Sequence, residues 1–74
     1  TQIDAKTRLQ EFSLKKFKKL PTYKLISNTG PRHKPLFKVA VKLMDTKFYI
    51  AEGNSKKDAE QNAAIKCLQN INKL

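Results

Sequence analysis

Two lysines stand at the mouth of a helix in the stretch Gly53-Asn54-Ser55-Lys56-Lys57-Asp58-Ala59-Glu60-Gln61-Asn62-Ala63-Ala64. Ser55 followed three residues later by Asp58 has the spacing of a capping box, in which the hydroxyl accepts from a first-turn N–H. Gly53 supplies backbone freedom just before it. Ala59, Ala63 and Ala64 are strong helix formers with little bulk, so this helix can lie close against a sheet. Cations in a first turn oppose the helix dipole. Set beside unpaired backbone N–H groups, however, they make an anion site. The plain alternative is a pair of solvated surface lysines.

Other chemistry is poorly served. Asp4 and Asp58 stand at cap positions, and the remaining carboxylates, Glu11, Asp45, Glu52 and Glu60, are scattered over different elements. No spacing gathers them into an acid–base pair or a magnesium site. His33 is the only histidine, and it falls in a loop. One His and one Cys are too few for a zinc site or a Cys-His nucleophile. No glycine-rich phosphate cradle of the P-loop type occurs. No cofactor is expected, and the chain reads as a binding module.

The elements that must carry this helix mouth follow from the pattern. Residues 1–3 read as a tail, and residues 4–74 as one domain. Asp4 caps a first helix that runs to residues 16–17. Ala5, Leu9 and Phe12 share its core face. Thr7, Gln10, Glu11 and Leu14 share the opposite one, at helical offsets of three, four and seven. Leu14 is therefore expected to be exposed. The basic run Lys15-Lys16-Phe17-Lys18-Lys19 ends the helix, where cations suit the dipole, and Leu20-Pro21 extends the chain.

A first strand is expected over 22–28, with Tyr23, Leu25 and Ser27 alternating and Ile26 blurring the pattern. Thr29-Gly30-Pro31-Arg32-His33-Lys34-Pro35 is a loop with three basic side chains at its tip. Phe37, Val39, Val41 and Leu43 alternate with Lys38, Ala40 and Lys42, the mark of a strand with one buried and one wet face. Residues 44–47 make a turn, and a third strand covers 48–52. The second helix starts at Ser55 and extends to Leu74, with Ala59, Ala63, Cys67, Ile71 and Leu74 in one stripe flanked by Ala64 and Leu68. Cys67 is expected to be a small core residue. The fold class is thus α+β, in the order α-β-β-β-α. Three antiparallel strands form one sheet, and both helices pack on one face of it.

Composition narrows the partner. The 74 residues hold 16 Lys and Arg against 6 Asp and Glu, a net charge of +10. Self-repulsion of that size suits a polyanionic partner. One cysteine excludes an internal disulfide and points to a reducing compartment. No apolar run approaches a membrane-spanning length, and no signal-peptide pattern opens the chain. The chain starts at Thr1 rather than Met, as a piece of a longer protein would. A membrane-surface role needs an exposed apolar helix face, but both stripes are wanted in the core. Sequence reading in a DNA major groove needs a recognition helix rich in Arg, Asn or Gln. Single-strand binding needs exposed aromatics, whereas Phe12, Tyr23, Phe37 and Phe48 are assigned inside, leaving Phe17 and Tyr49. Duplex RNA fits better. Its minor groove displays 2′-hydroxyls to small polar groups such as Thr7, Gln10, Glu11 and His33, and a lysine pair can meet the phosphates of the intervening major groove.

Four motifs in order carry a resemblance over residues 4–74: Asp4-Ala5-Lys6-Thr7-Arg8-Leu9-Gln10-Glu11-Phe12; Leu20-Pro21-Thr22-Tyr23; Gly30-Pro31-Arg32-His33-Lys34; and the stretch from Glu52 to Ala64. The chain resembles a double-stranded RNA-binding domain, most closely the C-terminal domain of bacterial ribonuclease III. The resemblance implies three RNA-contact regions: Thr7, Gln10 and Glu11; Pro31 and His33; and Ser55, Lys56 and Lys57. It implies a cytoplasmic, homodimeric parent endonuclease that processes duplex RNA, ribosomal RNA included, with magnesium in a separate N-terminal domain. The other reading is a module of a regulatory or ribosome-associated protein without a nuclease. Ala51 stands where the family usually has glycine. Glu60 stands where many relatives are basic and the bacterial nuclease branch often has glutamate. Ser13 and Leu14 reverse the usual apolar-then-polar order.

Overall fold

A computed structural model describes residues 4–44 and 46–71. The tail assigned to 1–3, Asp45 in the second turn and the extension of the last helix to Leu74 lie outside the described residues. The element order is α1 (Ala5–Phe17), β1 (Thr22–Thr29), β2 (Leu36–Lys42), β3 (Tyr49–Gly53) and α2 (Lys56–Ile71). The strands form one antiparallel sheet in the order β1-β2-β3.

Helix α2 lies across β2 and β3, and α1 packs chiefly on α2. Leu9 from α1, Val41 and Leu43, and Ala63, Ala64 and Cys67 from α2 form the buried core. Phe12, Phe17, Tyr23, Tyr49 and Leu68 close around it. The alanines let α2 settle onto the strands, as their size suggested. Cys67 is fully buried, and burial pushes its thiol up to about 11, so it stays protonated and inert at neutral pH. Ser13 turns inward and Leu14 outward. Ser13 is buried and its hydroxyl donates to Lys19 O, while Leu14 is 41% exposed.

Strand register corrects the assignment of the aromatics. Val41 pairs with Tyr49 and Val39 with Ala51. With a side-chain period of two, Tyr49 shares the core face and Phe48 must leave it. Phe48 is 41% exposed, with Lys42 Nζ 5.1 Å from its ring centroid. Tyr49 and Phe17, expected to be spare, pack on the core instead. A register shift between Leu25 and Ser27 leaves Ile26 without a partner on β2. That bulge is why the alternation blurred at Ile26. Leu25 and Ile26 are both exposed, because α2 covers β2 and β3 rather than this part of β1. Ala40, expected on the wet face, is buried: its methyl sits between Lys24 and Ile50 on the flanking strands.

Side chains of α2 also fasten the outer edge of the sheet. Asn62 Nδ2 donates to Glu52 O at 2.8 Å, and Lys66 Nζ donates to Ile50 O at 3.0 Å. Residues four apart on a helix match residues two apart on a strand, so one helix face caps alternate edge carbonyls.

Gly53 serves a different purpose from the backbone freedom expected of it. A Cβ there would lie 2.5 Å from Ala59 N and 2.8 Å from Asp58 C. The residue is small because the first turn of α2 passes directly over it. Gly53→Ala is expected to destabilise the fold by about 1–3 kcal/mol, the usual cost of overpacking against unyielding atoms. A urea titration showing an unchanged midpoint would mean the helix start can shift freely.

Candidate nucleic-acid interface

The expected contact residues fall in three places on the surface. Thr7, Gln10 and Glu11 are exposed along α1, with Leu14 continuing their row. The helix that displays them is capped by Asp4, whose carboxylate accepts from Lys6 N at 3.0 Å. It ends at Lys18, which adopts the left-handed conformation (φ 62°) and donates its N–H to Leu14 O.

The second place is the β1–β2 loop. Lys34 N donates to Pro31 O at 2.9 Å, which puts Arg32 and His33 at the tip of a turn. Gly30 enters that turn at φ +89°, and a Cβ on it would meet Lys34 O at 2.7 Å. Glycine alone satisfies both conditions. Pro31, Arg32, His33 and Lys34 are all exposed.

The third place is the mouth of α2. Ser55 Oγ accepts from Asp58 N at 3.0 Å, and Ser55 O accepts from Ala59 N at 2.9 Å, so Ser55 is the N-cap as its spacing predicted. Its hydroxyl hydrogen remains free to donate outward. Lys56 and Lys57 are exposed. The ion pairs among the described residues are Lys6–Glu60 and Lys38–Glu52. Lys56, Lys57, Arg32 and Lys34 therefore enter no ion pair there.

Hydrogen bonds index the other two places to α2 and the residues that lead into it. Asn54 Nδ2 donates to Pro35 O at 3.2 Å, holding the return limb of the loop beside the helix mouth. Gln61 reaches the first turn of α1: Ala5 N and Lys6 N donate to its Oε1 at 3.1 and 3.4 Å, and its Nε2 donates to Asp4 Oδ1. Glu60 Oε1 accepts from Lys6 Nζ at 2.7 Å. Lys6 Nζ also sits 5.3 Å from the Tyr23 ring centroid. Burial pushes the Tyr23 phenol up to about 12, with Glu60 adding to the effect, so it stays neutral.

These ties are the residues that sequence reasoning missed. Glu60 stands out in the sequence only as a departure from a basic position, and it proves to be the partner of Lys6. For Gln61 and Asn54 the one available signal was a polar side chain beside the alanine stripe or the cap. The two helix mouths also differ. Side chains from α2 fill the mouth of α1, whereas the lysines of α2 face outward.

Among the described residues no three of His, Cys, Asp and Glu gather in a way that could hold a metal, and no helix is long and apolar enough to cross a membrane.

Comparison with known proteins agrees with this layout. A family model described as the double-stranded RNA binding motif matches residues 5–71. Ribonuclease 3 of Pelagibacter ubique (strain HTCC1062) is 82% identical over 71 residues, which are 96% of this chain and 32% of that protein. Ribonuclease 3 of Campylobacter fetus subsp. fetus (strain 82-40) is 51% identical over 69 residues, 93% of this chain and 31% of that protein. The chain thus spans about a third of the length of the curated relatives it matches. A solved structure of Arabidopsis HYL1, described for its implications for miRNA processing, superposes with a TM-score of 0.74 at 38% identity. It covers 90% of this chain and 94% of that one.

The junction has a pH signature. The hydrogen bond from Gln61, then that from Lys6 N, holds the Asp4 carboxyl below its ordinary range. The folded state thus favours the ionised form. Its contribution is complete at neutral pH and is lost as the pH falls below the ordinary aspartate range and through the lower folded value. Melting temperature should fall over that acid interval, and less steeply in Asp4→Asn. Equal slopes in the two proteins would show that Asp4 takes no part.

Proposed function

The chain belongs to the double-stranded RNA binding motif family, and from that premise we propose that it holds duplex RNA as the substrate-binding module of a bacterial ribonuclease III. The observation that carries this reading is the tying of three polar or basic regions to the start of one helix, through Gln61 in its second turn, the N-cap Ser55 and Asn54 just before the cap. In the proposal, Thr7, Gln10 and Glu11 lie in one minor groove and hydrogen-bond 2′-hydroxyls. Pro31 and His33, at the loop, enter the next minor groove. Lys56 and Lys57, with the Ser55 hydroxyl and the open helix mouth, meet phosphates across the major groove between them. A lysine ammonium suits this role as a point charge that follows a phosphate without reading a base. Sequence preference is accordingly small.

The chain itself has no catalytic part in this reading, since residues 5–71 of its 74 are the binding motif. Cleavage, with magnesium to activate water and stabilise the leaving oxygen, belongs to a nuclease domain of the longer protein. Homodimerisation through that domain and a cytoplasmic location belong to the same proposal, and the 82% identity to a Ribonuclease 3 supports it.

Competition titrations with RNA, DNA and hybrid duplexes of one length are expected to rank RNA far above DNA. Lys56→Ala and Lys57→Ala should each weaken binding uniformly across sequences and lower the slope of log K against log salt by roughly one unit. Equal affinity for DNA would make the chain a general polyanion binder. An unchanged slope in both variants would make the lysines ordinary solvated residues. Binding should survive a chelator and leave the RNA intact; cleavage that copurifies with the chain would overturn the division of labour.

A further inference from the structure

An α-helix begins with N–H groups that have no partner inside the helix. In α1 the Asp4 side chain takes Lys6 N, and the Gln61 side chain takes both Ala5 N and Lys6 N. The amide is oriented by its partners. Its oxygen faces two donors, and its nitrogen faces the Asp4 carboxylate, which can only accept. One residue further back on α2, Glu60 holds the Lys6 ammonium with a side chain that is 16% exposed. Two adjacent side chains of α2 thus grip the start of α1 at three successive residues, Asp4, Ala5 and Lys6.

This grip lies between two of the three contact regions. Thr7 follows directly after Lys6, and Lys57 precedes Glu60 by three residues, about one helical turn. α1 packs on α2 far more than on the sheet, so its rotation about its own axis depends on what α2 holds. Neither Gln61 nor Glu60 is available to the ligand directly. Gln61 is half-buried with both ends of its amide engaged, and Glu60 is an anion already paired.

Resting on the reading of the chain as a duplex-RNA binder, we infer that Gln61, supported by Glu60, is a positioning residue for recognition. It fixes the row Thr7, Gln10 and Glu11 at the angle and distance from Ser55, Lys56 and Lys57 that duplex RNA requires. The residue therefore governs discrimination between RNA and DNA, which the α1 row reads, and leaves the phosphate contacts of the lysines alone. A residue that merely stabilises the fold would lower the melting temperature without altering preference among ligands.

The test compares the unaltered 74-residue chain with Gln61→Ala, Gln61→Glu and the swap Asp4→Asn with Gln61→Glu. Affinities for RNA and DNA duplexes of one length are measured across a salt series, well below each melting temperature. Gln61→Ala leaves the charge unchanged and removes the tie. It should weaken RNA binding by about tenfold, equivalent to one hydrogen bond or so lost from the interface. The preference for RNA over DNA should narrow and the salt slope should stay. Gln61→Glu sets two carboxylates against each other and should do the same or worse. The swap exchanges donor and acceptor across the junction at constant net charge: the amide nitrogen introduced at position 4 would donate to one oxygen of the carboxylate introduced at position 61, while the other oxygen still accepts from Ala5 N and Lys6 N. It should restore both affinity and preference. If Gln61→Glu does not fold, Gln61→Ala and the swap still decide the matter. Parental affinity and preference in Gln61→Ala would overturn the inference. So would a swap that recovers the melting temperature while RNA preference stays narrowed. An unaltered chain without RNA preference would defeat the underlying reading itself, and that is seen before any variant is measured.

Discussion

The first turn of α1 needs acceptors for its N–H groups, and α2 supplies one from a side chain. That contact joins two helices whose remaining interface is built from small and apolar groups, Leu9 and Phe12 against the alanines and Cys67. Apolar packing is non-directional and tolerates sliding. Hydrogen bonds to three successive residues do not. The Gln61 amide and the Lys6–Glu60 pair therefore set the register of α1 on α2. Asn54 does the same for the β1–β2 loop through Pro35 O. Every region proposed to touch RNA is measured from the first two turns of α2 or from Asn54 just before its cap, and α2 is seated on the sheet by Gly53, Asn62 and Lys66.

The charge distribution follows the same plan. The chain carries ten more basic than acidic residues, yet the acids are placed with purpose. Asp4 and Glu60 are spent on the helix junction, and Glu52 lies 3.9 Å from Lys38 on the open face of the sheet. Asp58 stands in the first turn of α2, where a carboxylate suits the dipole. That leaves the loop tip and the helix mouth strongly basic. Lys16 and Lys42 lie over the rings of Phe12 or Phe17 and of Phe48. Such cations cover apolar surface with their stems as well as adding to the field.

Much of this was legible in the sequence because it is local. The caps at Asp4 and Ser55, the helix stripes as far as Ile71, the inward Val39, Val41 and Leu43 and the outward row ending in Leu14 are set by residues a few positions apart, and the structure places them so. What was not legible depends on residues far apart in the chain. Phe48 is expected inside with the other aromatics, but the pairing of Val41 with Tyr49 turns it outward. Leu25 fits an inward alternation, yet α2 lies over β2 and β3 rather than over that part of β1. Gly53 suggests backbone freedom, though what it provides is room beneath a helix turn. The ties made by Gln61 and Asn54 span 56 and 19 residues, and no periodicity reports them.

Duplex RNA is proposed to meet one surface assembled from three separated regions, and amide chemical-shift mapping tests that claim most directly. The chain, labelled with ¹⁵N, is titrated with an RNA duplex long enough to present two minor grooves, about 16 base pairs. The largest changes are expected together at Thr7, Gln10 and Glu11, at Arg32 and His33, and at Ser55, Lys56 and Lys57, with Lys24, Lys38 and Lys42 on the open sheet face left in place. Changes centred on that open face, or confined to the lysine pair while α1 and the loop stay still, would contradict it.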